Sequence, residues 1–342
     1  MDYNEFTIIM PDDLHAHFRE EESTDINDVL LKEVVPYTAR MAARGLAMPN
    51  TKRPICNGRD VERYRAALKK AGGSGFEPMI AVKLTQRTTP RDVREWKDAG
   101  ANAIKLMPEG VTTNSSDAVT DIRRLDDTLH AAKEANLVLC VHAETPGAFC
   151  LDRESHYCTE TIPYLASIGG KVVVEHLTSE IGVRTVEALG PNVAATITPQ
   201  HLWMTLDNVI GSGIRPHNFC LPIAKYPSDQ RALIRAATSG NPKFFLGTDS
   251  APHVREMKER SIGCAGAFVA PVAIPILVQI FEDQGQLGKL EDFTSRYGAE
   301  FYGLPLNART MTIVRRRWTV PSLYGRIVPF LSGETLEYDI AT

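Results

Sequence analysis

Short apolar runs recur along the chain, and the segments between them are longer and more polar. Several runs are rich in Val and Ile throughout, as expected for strands that are covered on both faces. Alternation of such runs with helical segments is typical of βαβ units and predicts a parallel sheet. Eight runs are predicted to be strands, at residues 6–10, 45–48, 78–84, 103–106, 137–141, 171–174, 193–197 and 244–246.

The segments between the runs carry signals for helix starts and ends. Thr89, Pro90 and Asp92 supply an N-cap, a proline at the first helical position and an acidic residue that closes the first turn. Glycines suited to a left-handed position end four of the predicted helices, at Gly72, Gly100, Gly190 and Gly240.

Eight strands with intervening helices can form an open doubly wound sheet or a closed barrel. Ionisable residues follow several different strands here, and in a barrel the C-terminal strand ends form the one face that carries catalytic groups. We therefore predict an α/β fold, a (β/α)8 TIM barrel, as a single domain over residues 1–342. After Gly263 the chain is predicted to be a mostly helical extension, with a Pro- and Gly-bearing end at 321–333, that packs around the barrel.

Composition and charge narrow the class of function. The 342 residues are 43% apolar and 23% charged, the balance of a globular protein with a sizeable core. The net charge of -4 comes without a basic stripe, which argues against nucleic acid or an anionic membrane as a partner. The start does not resemble a secretion signal and no apolar run reaches about 18 residues, so a cytoplasmic location is expected. A small molecule is the predicted partner.

A pair of histidines follows the first predicted strand. His15 and His17 are two residues apart, and alternate residues of an extended segment share a face, so both can reach one cation. Two histidines at this spacing are more often a chance pair than a metal site. The pair alone is therefore weak support for a metal.

Four later strands end in single ionisable residues. Lys105 lies inside an apolar run, His142 and His176 follow two later runs, and Asp249 follows the last. Taken singly, the histidines can be hydrogen-bonded core residues, Asp249 an N-cap and Lys105 a lysine that extends to solvent. Together, so many ionisable groups at one end of a barrel would be costly to bury without a shared ligand. The residues therefore favour a metal centre.

The number of candidate ligands indicates two metal ions. One catalytic zinc usually takes three protein ligands and keeps a position open. Two cations about 3.5 to 4 Å apart need a bridging anion, and no acidic residue ends the fourth predicted strand. Lys105 can supply the bridge if its neutral amine adds carbon dioxide to become a carbamate, an anion that two cations stabilise.

The order of these residues resembles the amidohydrolase superfamily, and longer strings resemble its dihydroorotases of the single-domain bacterial type. The resemblance covers about residues 10–266, and a weaker similarity is found at FYGLP and VPFLSGET. In segment 20–28 the chain departs from the family pattern, because Arg19 is followed by three glutamates where related chains often have Asp. The strings that carry the resemblance are PDDLHAHFRE, MPNT, AIKLMP, TTNSS, VEHLT, ATITPQHL, RPHNFCLPI and GTDSAPH.

The resemblance implies a complete active site and a homodimer. It implies reversible hydrolysis of dihydroorotate to carbamoyl aspartate, with water activated between two Zn²⁺ ions and Asp249 as general base and then general acid. Implied metal ligands are His15, His17 and Asp249 for one ion and His142 and His176 for the other, with N6-carboxylated Lys105 as the bridge. Implied substrate-binding residues are Arg19, Asn50 and His253 for the carboxylate, the backbone of Leu221 and Ala265 for the ring, and Thr112 and Thr113 in a closing loop.

Other interpretations stay open at this stage. Arg19 can also pair with the neighbouring glutamates on the surface. A hydantoinase or allantoinase would share the metals but would need a different ring-binding set from Arg19, Asn50 and His253. A catalytically inactive barrel that serves as an assembly scaffold would lack metal ligands, and none of the expected ligands is missing from the sequence.

Overall fold

A computed structural model describes residues 4–19, 29–112, 114–115 and 117–341, which form a parallel barrel surrounded by helices. Strands β2 to β9 make the barrel and pair in chain order, while β1, β10 and β11 make a separate antiparallel sheet. The strands are β1 (Glu5–Ile9), β2 (Asp12–Ala16), β3 (Arg44–Ala47), β4 (Glu77–Lys83), β5 (Ala103–Leu106), β6 (Val138–Val141), β7 (Val172–Val174), β8 (Val193–Ile197), β9 (Phe244–Leu246), β10 (Thr310–Thr319) and β11 (Thr335–Ile340).

Helices connect the strands and cover the outside of the barrel. The predicted capping box at Thr89 and Asp92 is confirmed, since each side chain accepts a hydrogen bond from the other's backbone N–H. Among the described residues, no helix is both long enough and apolar enough to cross a membrane. The helices are α1 (Val29–Met41), α2 (Gly58–Gly72), α3 (Pro90–Asp98), α4 (Asp126–Glu134), α5 (Arg153–Glu160), α6 (Ile162–Ser167), α7 (Glu180–Ala188), α8 (Pro199–Trp203), α9 (Asp207–Ile210), α10 (Pro227–Thr238), α11 (Arg255–Lys258), α12 (Ala273–Asp283) and α13 (Tyr297–Tyr302), the last preceded by a π-helical turn (Asp292–Arg296).

The prediction of the first barrel strand was wrong. The apolar run at 6–10 forms β1, which pairs antiparallel with β10, and the first barrel strand is the more polar β2. This strand is buried despite its two aspartates because each has partners: Asp12 binds Arg44, and Asp13 accepts hydrogen bonds from the N–H and hydroxyl of Thr248. A hydrophobicity pattern does not reveal partners that are distant in sequence.

The prediction of a mostly helical C-terminal extension was also wrong in part. Helices α12 and α13 follow the barrel, but the last segment forms the strands β10 and β11. These strands belong to the sheet because β1 supplies an antiparallel partner from the other end of the chain. The apolar residues of this sheet, including Ile8, Ile313 and Tyr338, share one hydrophobic cluster with the outer face of the barrel.

The barrel closes between its first and last strands. The N–H of His17 donates to Ser250 O at 2.9 Å, and the N–H of Asp249 donates to His15 O at 2.8 Å. These two bonds place the histidine pair beside the aspartate, although more than 230 residues separate them in sequence.

A layer of apolar side chains fills the barrel interior. Every barrel strand contributes to it, and Phe301 and Tyr302 of α13 pack against it. Alternate residues of a strand share a face. The next residue to face inward is therefore two positions beyond each residue of this apolar layer. The layer comprises Leu14, Leu46, Met48, Met79, Ala81, Ala103, Val138, Cys140, Val173, Ala194 and Phe245.

A buried ion pair joins the first two barrel strands, and breaking it is expected to destabilise the fold. The Arg44 guanidinium makes two hydrogen bonds to Asp12, at 2.7 and 2.8 Å, and both side chains are at least 95% buried. Arg44→Met removes the cation and leaves a buried carboxylate with Asn307 as its other partner. We expect the free energy of unfolding to fall by about 3 kcal/mol, measured by urea denaturation.

The control for this prediction is Arg184→Met, which removes an exposed ion pair with Glu180 on α7. Such pairs contribute about 0.2–1 kcal/mol. If Arg44→Met and Arg184→Met lowered the free energy of unfolding equally, the buried Arg44–Asp12 pair would not stabilise the fold more than an exposed pair does.

Candidate metal centre and active site

The alternation of the barrel strands brings three ionisable residues to one end of the interior. Lys105, His142 and Glu175 each lie two positions beyond a member of the interior apolar layer, at Ala103, Cys140 and Val173 respectively. All three are at most 2% exposed. The polar site therefore lies directly on the apolar layer, at the C-terminal ends of the strands.

Irregular backbone turns the other candidate ligands inward. The pairing of β2 with β3 shifts register between Asp13 and Ala16, so the inward direction changes after Leu14 and His15 faces the site. His176 and Asp249 have φ of 44° and 48°. A left-handed conformation in a residue other than glycine costs about 1–3 kcal/mol and persists where the surroundings enforce it. Both strained residues are candidate ligands.

The first group of candidate ligands comprises His15, His17 and Asp249. Asp249 Oδ1 lies 3.3 Å from His15 Nε2 and 3.1 Å from His17 Nε2, and the two histidine nitrogens are 3.2 Å apart. The three ligand atoms lie within 4.8 Å of one another in buried surroundings. This is the set that the resemblance assigns to one ion.

The second group surrounds His142 and His176. His142 Nδ1 lies 3.2 Å from His176 Nε2, and the rings are 4.7 Å apart between centroids. Glu175 connects the two groups, because its Oε1 lies 2.9 Å from His15 Nδ1 and its Oε2 contacts Lys105 Nζ. His15, Glu175 and His176 also offer ligand atoms within 4.8 Å of one another.

The ionisation of these residues suits a metal. Burial lowers the pKa of His17 to about 3 and the pKa of His176 well below its usual value, so the imidazoles are neutral and keep lone pairs for a cation. Although burial alone would raise the pKa of Asp249, hydrogen bonds from His15 and His17 hold it well below its usual range. Burial lowers the pKa of Lys105 to about 8.

Two buried polar atoms beside the second group of candidate ligands have no partner. Among the described residues, His176 Nδ1 and Glu144 Oε1 have no hydrogen-bond partner, and both residues are at most 2% exposed. An unpaired buried polar atom costs about 1–3 kcal/mol. Since His142 Nδ1 and His176 Nε2 are the atoms that face each other, the unpaired atoms lie on the outer sides of the two rings. The fit to a cation therefore rests on the facing neutral nitrogens, whose lone pairs are free for a metal.

Two acidic residues of the site were missed by the sequence analysis. Glu175 faces inward because Val173 does, and alternation brings the residue two positions later to the same face. The sequence shows this alternation but not which of the two faces is the inner one. Glu144 follows His142 in the same way, and its Oε2 lies 2.7 Å from His142 Nε2. A carboxylate on the outer nitrogen of a ligating histidine orients the ring.

The residues expected to bind the substrate carboxylate lie beside the first group. Arg19, two residues beyond His17, is 8% exposed and donates from Nη1 to Asn50 O at 3.3 Å. Burial, followed by the positive charges of Arg19 and Lys258, lowers the pKa of His253 to about 2. The charge of Arg19 therefore acts on His253, and both residues belong to the set expected to bind the carboxylate.

The residues expected to recognise the ring lie on two loops near His253. Ala265 O is 3.1 Å from His253 Nε2. Leu221 precedes Pro222, whose carbonyl oxygen is 3.0 Å from His201 Nε2, and the other ring nitrogen of His201 is 2.7 Å from the Thr198 hydroxyl. His201, which had no assigned role, thus holds the Leu221 loop against the end of β8.

The expected closing loop reaches the carboxylate-binding residues. The side-chain amide of Asn114 donates to Asn50 O at 3.1 Å and to Thr51 O at 3.3 Å. Thr112 is half-buried and its carbonyl accepts from the Ser115 hydroxyl at 2.6 Å. Thr113, and the variant segment 20–28, lie outside the described residues.

Comparisons with known proteins show the family to which this chain belongs. The sequence profile of the Amidohydrolase family matches residues 7–308. Dihydroorotase of Shewanella pealeana is 41% identical over 99% of both chains, and that of Neisseria gonorrhoeae is 42% identical over 98% of both.

Two solved dihydroorotases have the same fold over their full length. The Saccharomyces cerevisiae enzyme, in complex with 5-fluoroorotic acid, is 29% identical with a TM-score of 0.91 and covers 99% of each chain. The Campylobacter jejuni enzyme is 32% identical with a TM-score of 0.90 and covers 100% of this chain and 99% of its own. The chain therefore belongs to the amidohydrolase family and, within it, to the dihydroorotases.

Proposed function

We propose that this protein catalyses the reversible hydrolysis of dihydroorotate to carbamoyl aspartate at the C-terminal end of its barrel. The observation that carries the proposal is a buried cluster of neutral histidines and Asp249 together with the buried guanidinium of Arg19, two residues beyond His17. The cluster suits metal-assisted hydrolysis, and the guanidinium suits an anionic substrate. Dihydroorotate combines a cyclic amide with a carboxylate.

We further propose that the site holds two Zn²⁺ ions. His15, His17 and Asp249 would bind one and His142 and His176 the other, with carboxylated Lys105 as the bridge. The ions, when bound, would lower the pKa of water from 15.7 to about 7 and polarise the amide carbonyl. Glu175 contacts Lys105 and lies 2.9 Å from His15, so it would orient these two side chains.

Asp249 is proposed to transfer the proton. Its Oδ1 faces His15 and His17, and among the described residues no hydrogen bond occupies Oδ2. The free oxygen can accept a proton from the attacking water and return it to the ring nitrogen as the C–N bond breaks. Ring closure uses the same groups in reverse order.

Arg19 is proposed to bind the substrate carboxylate with Asn50 and His253. The backbone groups of Leu221 and Ala265 are proposed to contact the ring, and the loop of Thr112 and Thr113 to close over the substrate. The Nε of Arg19 is buried and has no partner among the described residues, so a ligand can take it. A guanidinium suits this role because its planar fork binds carboxylates with two parallel hydrogen bonds. The yeast relative is a complex with an orotic acid derivative, which carries the same carboxylate.

The decisive experiment follows the ring opening of dihydroorotate by absorbance, with hydantoin and allantoin as competing substrates and with a chelator in a parallel series. We expect the protein to hydrolyse dihydroorotate but not hydantoin or allantoin. The chelator is expected to abolish this activity, and added Zn²⁺ to restore it. Faster turnover of hydantoin or allantoin, or full activity after complete metal removal, would refute the proposal. The homodimer and the cytoplasmic location stay predictions.

Arg19→Met is expected to weaken substrate binding selectively. Hydrogen bonds to a charged group contribute about 1.5–3 kcal/mol, so we expect KM for dihydroorotate to rise about 10- to 100-fold. Steady-state kinetics measure the effect, with Arg184→Met on the exposed face of α7 as the control. An unchanged KM in Arg19→Met would exclude the carboxylate-binding role.

A further inference from the structure

Lys258, the last residue of α11, is a buried lysine that neither the metal centre nor the proton transfer uses. Its side chain is only 3% exposed. Among the described residues, no carboxylate lies within ion-pair distance of its ammonium group. A buried ammonium without a counter-ion is costly unless dipoles replace the lost water.

Three backbone carbonyls replace that water. Lys258 Nζ donates to Phe219 O at 2.9 Å, to Cys264 O at 2.9 Å and to Gly266 O at 2.6 Å. An ammonium group has three donors, so all of them are used. The same Phe219 oxygen also accepts from the N–H of Gly266 at 3.0 Å.

The three carbonyls belong to the two loops that are proposed to recognise the substrate ring. Phe219 lies two residues before Leu221, and Cys264 and Gly266 flank Ala265. While its neighbours' oxygens point to Lys258, Ala265 O points elsewhere, to His253. The ammonium group thus fixes the orientation of the peptide groups on both sides of Ala265.

The charge of Lys258 also acts on the carboxylate-binding residues. It contributes to the low pKa of His253, and Arg19 in turn contributes to a pKa of Lys258 that burial lowers to about 8. Lys258 and Arg19 therefore both act as positive charges on His253, a neutral imidazole, and their positive potential favours an anionic substrate.

We propose that Lys258 is a positioning residue for substrate recognition: its ammonium group joins segments 219–221 and 264–266 in the arrangement that binds the dihydroorotate ring. The inference rests on the proposed function and adds a residue that contacts backbone instead of substrate.

Lysine-to-methionine substitution tests this role, because methionine keeps most of the side-chain length and removes both the charge and the donors. We expect Lys258→Met to raise KM for dihydroorotate at least 10-fold, while kcat falls less than 3-fold and the metal content stays at the wild-type value. Lys258→Gln, which keeps an amide donor, is expected to fold and to raise KM to a smaller extent.

The chain offers a matched control in Lys243. Its ammonium group also contacts backbone carbonyls, at 2.9 Å from Val186 O and 3.4 Å from Glu187 O. Lys243 directly precedes β9, so it lies at the N-terminal end of the strands, opposite the site. Lys243→Met is expected to lower the melting temperature and to leave KM within 2-fold of wild type. The comparison separates positioning of the substrate loops from a general stabilising effect.

An unchanged KM in folded, active Lys258→Met would overturn the inference. So would loss of fold or of metal in both Lys258 variants, because Lys258 would then stabilise the protein and not substrate recognition. A wild-type protein that does not open dihydroorotate would refute the proposed function instead, so the two failures are distinguishable.

Discussion

Asp249→Asn is expected to reduce kcat for dihydroorotate by about 10²–10⁴-fold, the contribution of a well-placed general acid–base. Asparagine keeps the shape of the side chain and an oxygen for the contacts with His15 and His17, but it cannot accept the proton of the attacking water. The low pKa of Asp249 keeps the carboxylate ionised at neutral pH, so the wild-type group is unprotonated before the water attacks.

The measurement is steady-state kinetics beside elemental analysis and a melting curve of the same preparation. Asp92→Asn, in the capping box of α3 on the outside of the barrel, is the matched control and should leave kcat unchanged. Metal content above half of wild type together with a collapsed kcat would assign the loss to proton transfer. A kcat within 3-fold of wild type would reject the role of Asp249.

Lys105→Ala is expected to remove metal and activity together. Metal ions supply several kcal/mol of transition-state stabilisation, and 4 kcal/mol corresponds to about 10³-fold in rate. The side chain is 2% exposed and contacts Glu175, which connects the two ligand groups, and the other residues of β5 are apolar and cannot replace it there. Elemental analysis of purified protein gives the metal content independently of turnover.

Glu175→Gln is the comparison variant, because Glu175 is an acidic residue that also lies between the two groups. If carboxylated Lys105 is the bridge, Glu175→Gln should keep more metal than Lys105→Ala. The reverse order would make Glu175 the bridging ligand. Full metal occupancy with normal turnover in Lys105→Ala would refute any bridging role for the lysine.

Several strands could be predicted because their apolar runs end at polar residues. β5, β8 and β9 have the predicted bounds, since in each case the run is buried on both faces and stops where the interior becomes polar. β2 could not be predicted in this way, because Asp12 and Asp13 are buried only with Arg44 and Thr248 as partners. Their burial depends on contacts between distant parts of the chain.

The residues of the site also fall into those that could be predicted from the sequence and those that could not. His15, His17, Lys105, His142, His176 and Asp249 stand out in the sequence because ionisable residues at the ends of apolar runs are unusual. Glu175 and Glu144 were not predicted, because each lies one or two residues from a histidine that is itself a candidate ligand. Their direction into the barrel depends on the phase of each strand relative to the apolar layer.

The α/β class, most barrel strands and the identity of the candidate ligands could be predicted because alternation and residue type are local properties of the chain. How these residues face one another depends on contacts between segments that are distant in sequence. The register shift in β2 and the left-handed backbone at His176 and Asp249 are imposed by packing against neighbouring strands, which outweighs their local cost. The sheet of β1, β10 and β11 likewise exists only because the two ends of the chain meet.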